Sequence, residues 1–163
     1  MFDRTGLQQL YRDTHSCLTL LLDHADRMPG GSLLETVQNF GRSSVRDQLV
    51  HVFSNELVWI AGLQRISPAR PDPEQCTDVA SIRSLQQETQ ARTLAYLDRL
   101  EDRSLNAILD PPPPNWIGPP RSPAYILLHI ITHAFHHKGQ ITAMFRILGH
   151  PIGETDLQRP SSS

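Results

Sequence analysis

The sequence predicts an all-α protein, a four-helix bundle with a long proline-rich connection before its last helix. Three observations support this fold class. Apolar residues recur at helical spacing in four long segments, no segment alternates convincingly as a β-strand would, and clusters of Pro, Gly and Ser separate the segments. A chain of 163 residues can build one well-cored domain. We expect that domain to span residues 1–155, and we expect residues 156–163 to form a flexible tail.

The first two long helices are predicted near the start of the chain. Residues 5–27 place their leucines on one helical face. Residues 44–65 repeat that pattern, with Ser43 or Ser44 as the N-cap, since a serine hydroxyl can accept the first free backbone N–H groups of a helix. The segment SLLETVQNF, residues 32–40, is interpreted as a short helix between them.

Two more long helices complete the predicted bundle. The third covers residues 78–108, with Asp78 as its N-cap. The fourth covers residues 122–148, where an initial Ser-Pro and a final Gly149 are typical of helix ends. The connection LDPPPPNWIGPPR holds six prolines, which cannot donate ladder hydrogen bonds, so an extended loop is favoured over a hairpin. This loop is either a rigid connector or an overhang in which Trp116 forms a pocket wall.

Charge and composition exclude several classes of protein. The net charge is −2 and the basic residues are scattered, so no nucleic-acid partner is expected. The N-terminus carries an acid and a base where a signal peptide would be apolar, and the run AYILLHIITHAF is shorter than the roughly 20 residues that span a bilayer. Two widely separated cysteines suit reduced thiols. We therefore expect a cytoplasmic protein with no membrane partner.

The stretch HAFHHKGQI holds three of the chain's eight histidines within five residues of the fourth helix. His133 and His137 are four residues apart, so they lie about 40° apart around the helix and about 6 Å apart along it. Ile126 and Ile130 share this stripe, which should therefore face inward. A buried imidazole without a partner costs about 1–3 kcal/mol, and one metal ion would satisfy both rings. The alternative is a hydrogen-bonded pair in the core.

A third ligand has to come from another helix, and His51 in the second helix is the candidate. Its face is more polar than the rest of that helix, so it either faces solvent or lines a polar cleft beside the core. His129 and His136 flank the stripe and could replace a ligand or support one. Glu56 and Gln140 are secondary candidates for proton handling or ring support, although Glu56 follows His51 by five residues and can point away from it.

Two segments resemble the DinB-like superfamily: LLHIITHAFHHKGQITAMFRILG, residues 127–149, and VRDQLVHVFSNELVWIAGL, residues 45–63. The resemblance implies a four-helix bundle that binds a divalent metal through His51, His133 and His137. Superfamily members of known activity are mostly thiol-dependent transferases or isomerases, many others are described as metal-dependent hydrolases, and members are often homodimers. The implied cofactor is Zn, Ni or Fe, with a low-molecular-weight thiol as a possible co-substrate beside a small-molecule substrate.

Three functions therefore compete. The first is a divalent-metal-dependent enzyme, a thiol-dependent S-transferase or a small-molecule hydrolase, in which the metal activates thiol or water. The second is a non-catalytic bundle that binds a metal or a small molecule. The third is a structural dimeric bundle whose fourth helix is the seam. No HExxH, GxSxG or glycine-rich phosphate loop occurs in the sequence, so nothing favours a zincin, an α/β-hydrolase or a P-loop enzyme.

Overall fold

The computed structural model describes residues 1–157, which form helices joined by loops, with no β-strand in that range. The helices are α1 (Arg4–Asp26), α2 (Val45–Gln64), α3 (Val79–Asp98), α4 (Asp102–Asn106) and α5 (Pro123–Ile147), and a single 3-10 turn spans Pro73–Gln75. The four long helices form the bundle, which confirms the predicted all-α class, and α4 is a short addition. Their apolar faces meet in a core whose innermost side chains include Leu21, Phe53, Ile82 and Phe145, all fully buried.

The ends of the long helices follow the capping signals in the sequence. The Ser44 side chain accepts a hydrogen bond from the backbone N–H of Asp47, which starts α2. Ser122 caps α5 and Pro123 occupies its first turn. After α5, Gly149 takes a positive φ of 81°, and the next N–H reaches back to the carbonyl of Phe145 at 2.8 Å. This arrangement closes the C-terminus of a helix and requires a residue that tolerates a left-handed backbone.

The third helix was predicted too long, because it ends at Asp98 rather than near residue 108. The start of α1 contacts the chain where the helix breaks. The guanidinium of Arg4 donates to the carbonyls of Asp98 and Leu100 at 3.3 and 3.2 Å, and the Arg4 N–H donates to the Asp102 carboxylate at 2.8 Å. Leu105 of α4 is fully buried. These tertiary contacts stabilise the break and override a helical pattern in the sequence.

The predicted helix over residues 32–40 is wrong, since this segment consists of turns. Its backbone hydrogen bonds either close turns, as from the Glu35 N–H to the Ser32 carbonyl at 3.4 Å, or join the segment to residues around the start of α2. The Val37 N–H donates to the Ser43 carbonyl at 2.6 Å, and the Arg46 N–H donates to the Leu33 carbonyl at 3.0 Å. Val37 is buried, so the segment covers that end of the core without being helical.

Lys138 attaches the segment after α5 to the bundle. Its buried ammonium donates to the carbonyl and hydroxyl of Thr155 at 2.7 and 3.1 Å and to the Asp156 carboxylate at 3.0 Å. Residues 158–163 of the predicted tail lie outside the described residues. None of the helices within residues 1–157 combines the length and the apolar character needed to cross a membrane.

Candidate metal centre

Three imidazoles from two helices meet beside the core. His51 comes from α2, His133 and His137 come from α5, and each offers a ring nitrogen within 4.8 Å of the other two. His137 is buried, whereas the other two rings are half-buried. The periodicity of α2 left His51 either facing solvent or lining a cleft, and the structure places it in a cleft against the α5 pair, with ring centroids 5.1 and 4.7 Å from theirs.

The two α5 histidines already have a spacing close to that of two ligands on one ion. Their Nε2 atoms are 3.1 Å apart. Two nitrogens bound to the same tetrahedral zinc, each about 2.0–2.1 Å from it, lie roughly 3.3 Å from one another. Sequence spacing places the two histidines one helical turn apart on one face, and their rotamers bring the ring nitrogens to this distance.

Polar side chains of α2 hold these rings. The Gln48 amide is fully buried, its Nε2 donates to the Arg42 carbonyl at 2.9 Å, and its Oε1 lies 2.6 Å from His137 Nδ1. Because Gln48 Oε1 can only accept, His137 Nδ1 must carry the proton, which leaves the lone pair on Nε2. Asn55 Nδ2 lies 3.0 Å from His133 Nε2. The lone pair of His137 Nε2 is left on the side of His133, whose Nε2 is 3.1 Å away, and a cation bound there would accept it.

The surroundings of the cluster favour neutral imidazoles. Burial, followed by the neighbouring histidines, lowers the pKa of His133 from 6.5 to about 3. Burial and the nearby His51 and His136 lower the pKa of His137 to about 4. Burial also lowers the pKa of His51, with a smaller contribution from the Arg42 charge. Neutral imidazole is the form that binds a metal, so the donor set of three nitrogens fits a divalent transition metal at neutral pH.

These pKa shifts predict that acid destabilises the metal-free protein. Between pH 6.5 and about 4, the unfolded chain binds protons at His133 and His137 that the folded chain does not. The free energy of unfolding therefore has its full value above pH 6.5, and it decreases as the pH falls below 6.5. We expect the free energy of unfolding, measured by urea titration after chelation, to decrease across this range.

The matched control for this pH dependence is the double variant His133→Asn/His137→Asn. Its free energy of unfolding should change less between pH 6.5 and 4 than that of the wild type, because asparagine binds no proton. Equal slopes in the two proteins would show that other groups cause the acid sensitivity.

The structure does not bring Glu56 to the three histidines. Its carboxylate is buried between α1 and α3, where Oε1 accepts from the hydroxyls of Tyr11 and Thr93, both at 2.5 Å, and Oε2 lies 3.1 Å from His15 Nε2. Five residues along a helix correspond to about 140° around its axis, so the side chain of Glu56 leaves α2 on a different face from that of His51. Glu56 is therefore part of a separate buried network.

Gln140 does lie beside the cluster. It is half-buried, and its Nε2 is 3.1 Å from Nε2 of the exposed His136. The His136 ring is in turn 5.0 Å from the His137 ring, centroid to centroid. A side-chain hydrogen bond with Gln140 also raises the pKa of His137, against the larger effect of burial, so Gln140 reaches one of the three histidines directly as well.

Trp116 lies in an aromatic group that reaches the cluster. Its ring is 5.6 Å from that of Trp59 and 6.1 Å from that of His129, and the His129 ring is 6.1 Å from that of His133. The proline-rich loop that carries Trp116 is held on α2 by Asn115, whose amide donates to the Val58 carbonyl at 3.0 Å.

Gly62 allows this loop to approach α2 closely. A Cβ at position 62 would lie 3.3 Å from Nδ2 of Asn115 and 3.5 Å from Cβ of Pro113. The loop contains no strand, in agreement with the expectation from its prolines. The close contact with α2 fixes the loop that carries Trp116, whose ring reaches His133 through His129.

Neither Gln48 nor Asn55 is among the site residues predicted from the sequence. The spacing of both residues from His51 in the sequence could have predicted their role. Gln48 precedes His51 by three residues and Asn55 follows it by four, so all three share one face of α2. Polar amides on the same helical face as a candidate ligand are a pattern that predicts ring support.

The fold and the cluster define a class of protein: a four-helix bundle with a candidate metal centre of three histidines between its second long helix and its last. The chain belongs to the DinB family, whose family model matches residues 1–162.

Solved structures agree with this assignment of the fold. A conserved protein from Enterococcus faecalis superimposes with a TM-score of 0.57 at 21% sequence identity, over 91% of this chain and 99% of that one. A DinB family member from Shewanella denitrificans superimposes with a TM-score of 0.60 at 14% identity, over 99% of this chain and 93% of that one. No curated protein matches the chain significantly.

Proposed function

We propose that the protein is a divalent-metal-dependent enzyme that acts on small molecules, as a thiol-dependent S-transferase or a hydrolase. The observation that carries this proposal is the convergence of three ring nitrogens within 4.8 Å of one another. His51, His133 and His137 would hold the ion, and Zn, Ni and Fe all accept imidazole ligands. Three neutral protein ligands are typical of catalytic sites, in which a further position stays open.

The ion would supply one kind of chemistry when bound, which is to lower the pKa of a thiol or water at its open position. The chain itself supplies position and shape. Gln48 and Asn55 orient the rings of His137 and His133. Trp116, with Trp59 and His129, forms an aromatic wall suited to the apolar part of a substrate. Gln140 would support the site from the side of His136.

The test of this proposal begins with the untagged protein, purified without chelator. Elemental analysis should find close to one divalent transition metal per chain. Protein reconstituted separately with Zn, Ni and Fe would then be incubated with glutathione or cysteine and 1-chloro-2,4-dinitrobenzene, and with p-nitrophenyl acetate without thiol. Mass spectrometry would measure the thiol adduct, and absorbance would measure hydrolysis. The control is His137→Ala treated in the same way.

We expect at least one metal form to react faster than His137→Ala. If metal binds and no form exceeds the control, the second candidate function, a bundle that binds metal or small molecules without catalysis, replaces the enzyme. A protein that is stable and metal-free would contradict both. A cytoplasmic location and a homodimer belong to the same proposal, and the molecular mass in solution tests the homodimer.

A further inference from the structure

A cavity of about 530 Å³ opens beside the histidine cluster, and His51 forms part of its wall. A volume of several hundred Å³ is in the range of sites that bind small molecules. His51 belongs both to this wall and to the cluster of three imidazoles, so a molecule in the cavity lies next to the candidate metal centre. The remaining wall comes from other residues of α2, from the segment before α2 and from the segment around the 3-10 turn.

One part of this wall presents a guanidinium that has no partner within residues 1–157. Arg42 and Arg46 both line the cavity. Arg46 donates to the Asp47 carboxylate at 2.9 Å, whereas the side chain of Arg42 makes no hydrogen bond or ion pair in the described part of the chain. Arg42 and His51 line the same cavity, so a ligand that pairs with the guanidinium also lies beside the cluster. A guanidinium is the protein group best matched to a carboxylate.

A second part of the wall carries the opposite charge. Asp72 and Glu74 line the cavity from the segment around the 3-10 turn, and both are exposed. The Asp72 carboxylate accepts one backbone N–H, that of Glu74, at 3.0 Å, which leaves it further lone pairs. Neither carboxylate forms an ion pair with another described residue. Two carboxylates of this kind are suited to an ammonium group.

Between these charged residues, Ser54 also lines the cavity. It follows His51 by three residues on the same face of α2. Its hydroxyl oxygen is buried and makes no hydrogen bond to any described residue. Because no backbone carbonyl holds it, this hydroxyl is free to turn toward a polar group in the cavity.

We infer that this cavity binds a small zwitterionic molecule, whose carboxylate pairs with Arg42 and whose amine pairs with Asp72 and Glu74, while its reacting group reaches the histidine cluster. This inference rests on the proposed function and narrows it, because it assigns the substrate or co-substrate to the class of amino-acid-like compounds. Arg42, like the two acids, is exposed, so water solvates all three charges in the empty cavity. An anion alone would lie near two like charges and a cation alone near the guanidinium, whereas a zwitterion places each of its charges beside an opposite one.

Four thiols test the inference, because they share a reacting group and differ in charge. They are homocysteine with both charges, 3-mercaptopropionate with the carboxylate, cysteamine with the amine, and 2-mercaptoethanol with neither. The full-length protein is first titrated with Co²⁺, which reports on metal binding by itself. Each thiol is then titrated into the Co²⁺ protein, and the thiolate-to-cobalt absorption band gives its dissociation constant.

Wild-type protein should bind homocysteine at least ten times more tightly than 2-mercaptoethanol. Arg42→Gln should weaken the binding of homocysteine and 3-mercaptopropionate about tenfold and leave the binding of cysteamine unchanged. Asp72→Asn/Glu74→Gln should weaken the binding of homocysteine and cysteamine and leave the binding of 3-mercaptopropionate unchanged. The matched control Arg12→Gln removes an exposed arginine of α1. It should leave all four dissociation constants unchanged.

The possible failures of this experiment are distinguishable. If Co²⁺ binds and the four thiols have equal affinities, or if Arg42→Gln weakens all four equally, the zwitterion inference is overturned and the metal site stands. If Co²⁺ does not bind, the proposed function fails, and this inference fails with it.

Discussion

Replacing His133 by alanine is expected to lower the affinity for Zn²⁺ roughly 100-fold and to leave the purified protein nearly metal-free. The physical reason is the loss of one of three nitrogen donors. Structural zinc sites with four ligands bind with about 10–16 kcal/mol, so a single ligand contributes roughly 3 kcal/mol, or about two orders of magnitude in the dissociation constant. Competition with a chromophoric chelator measures the affinity, and elemental analysis measures the occupancy.

The matched control for this variant is His136→Ala. His136 is an exposed histidine of the same helix, and it lies beside the cluster without being one of the three mutually close donors. We expect its replacement to change zinc affinity less than threefold. If both alanine variants keep the affinity of the wild type, the three imidazoles do not form the metal site, and the proposed enzyme has no catalytic centre.

The parts of this site that the sequence predicted depend on contacts within one helix. The pair His133 and His137 follows from four-residue spacing, and its inward direction follows from the apolar residues on the same stripe. Ser44, Ser122 and Gly149 mark helix ends because caps act on backbone groups only a few residues away. Such local rules need no knowledge of how the helices pack.

The parts that the sequence did not predict depend on packing between helices. His51 could be placed with the other two rings only through a resemblance, since its polar helical face is equally typical of solvent exposure. The break after Asp98 is stabilised by hydrogen bonds that Arg4, near the start of the chain, donates to the Asp98 and Leu100 carbonyls. The residues of α3 alone do not predict this contact. Helical periodicity alone therefore predicted a longer helix.

Glu56 is another residue whose partners depend on packing between helices and were not predicted from the sequence. A carboxylate near a candidate metal ligand suggests proton handling, and only the structure shows that its partners are Tyr11, Thr93 and His15. These partners come from α1 and α3, more than 30 residues away in each case. The buried Glu56 therefore connects three helices of the bundle, and its removal should affect stability more than metal binding.

Replacing Glu56 by alanine is expected to lower the free energy of unfolding by about 3–5 kcal/mol, because it removes the acceptor that three other buried side chains share. The carboxylate is 3% exposed, and its partners Tyr11, Thr93 and His15 are each 1–2% exposed. Without Glu56, two hydroxyls and an imidazole nitrogen lose their acceptor inside the core, at about 1–3 kcal/mol for each buried group left unpaired. Urea unfolding followed by circular dichroism measures the loss.

Two further variants make this stability prediction specific. Glu88→Ala removes an exposed glutamate that pairs with Arg92 four residues away, so it should cost about 0.3–0.5 kcal/mol. Glu56→Gln keeps the shape and one acceptor oxygen, so it should cost less than Glu56→Ala and should bind Zn²⁺ as the wild type does, because the carboxylate does not contact the three histidines. A Glu56→Ala protein as stable as Glu88→Ala would show that the buried network contributes little to the fold. Loss of zinc in Glu56→Gln would instead mean that the network positions α2, and with it His51, at the metal centre.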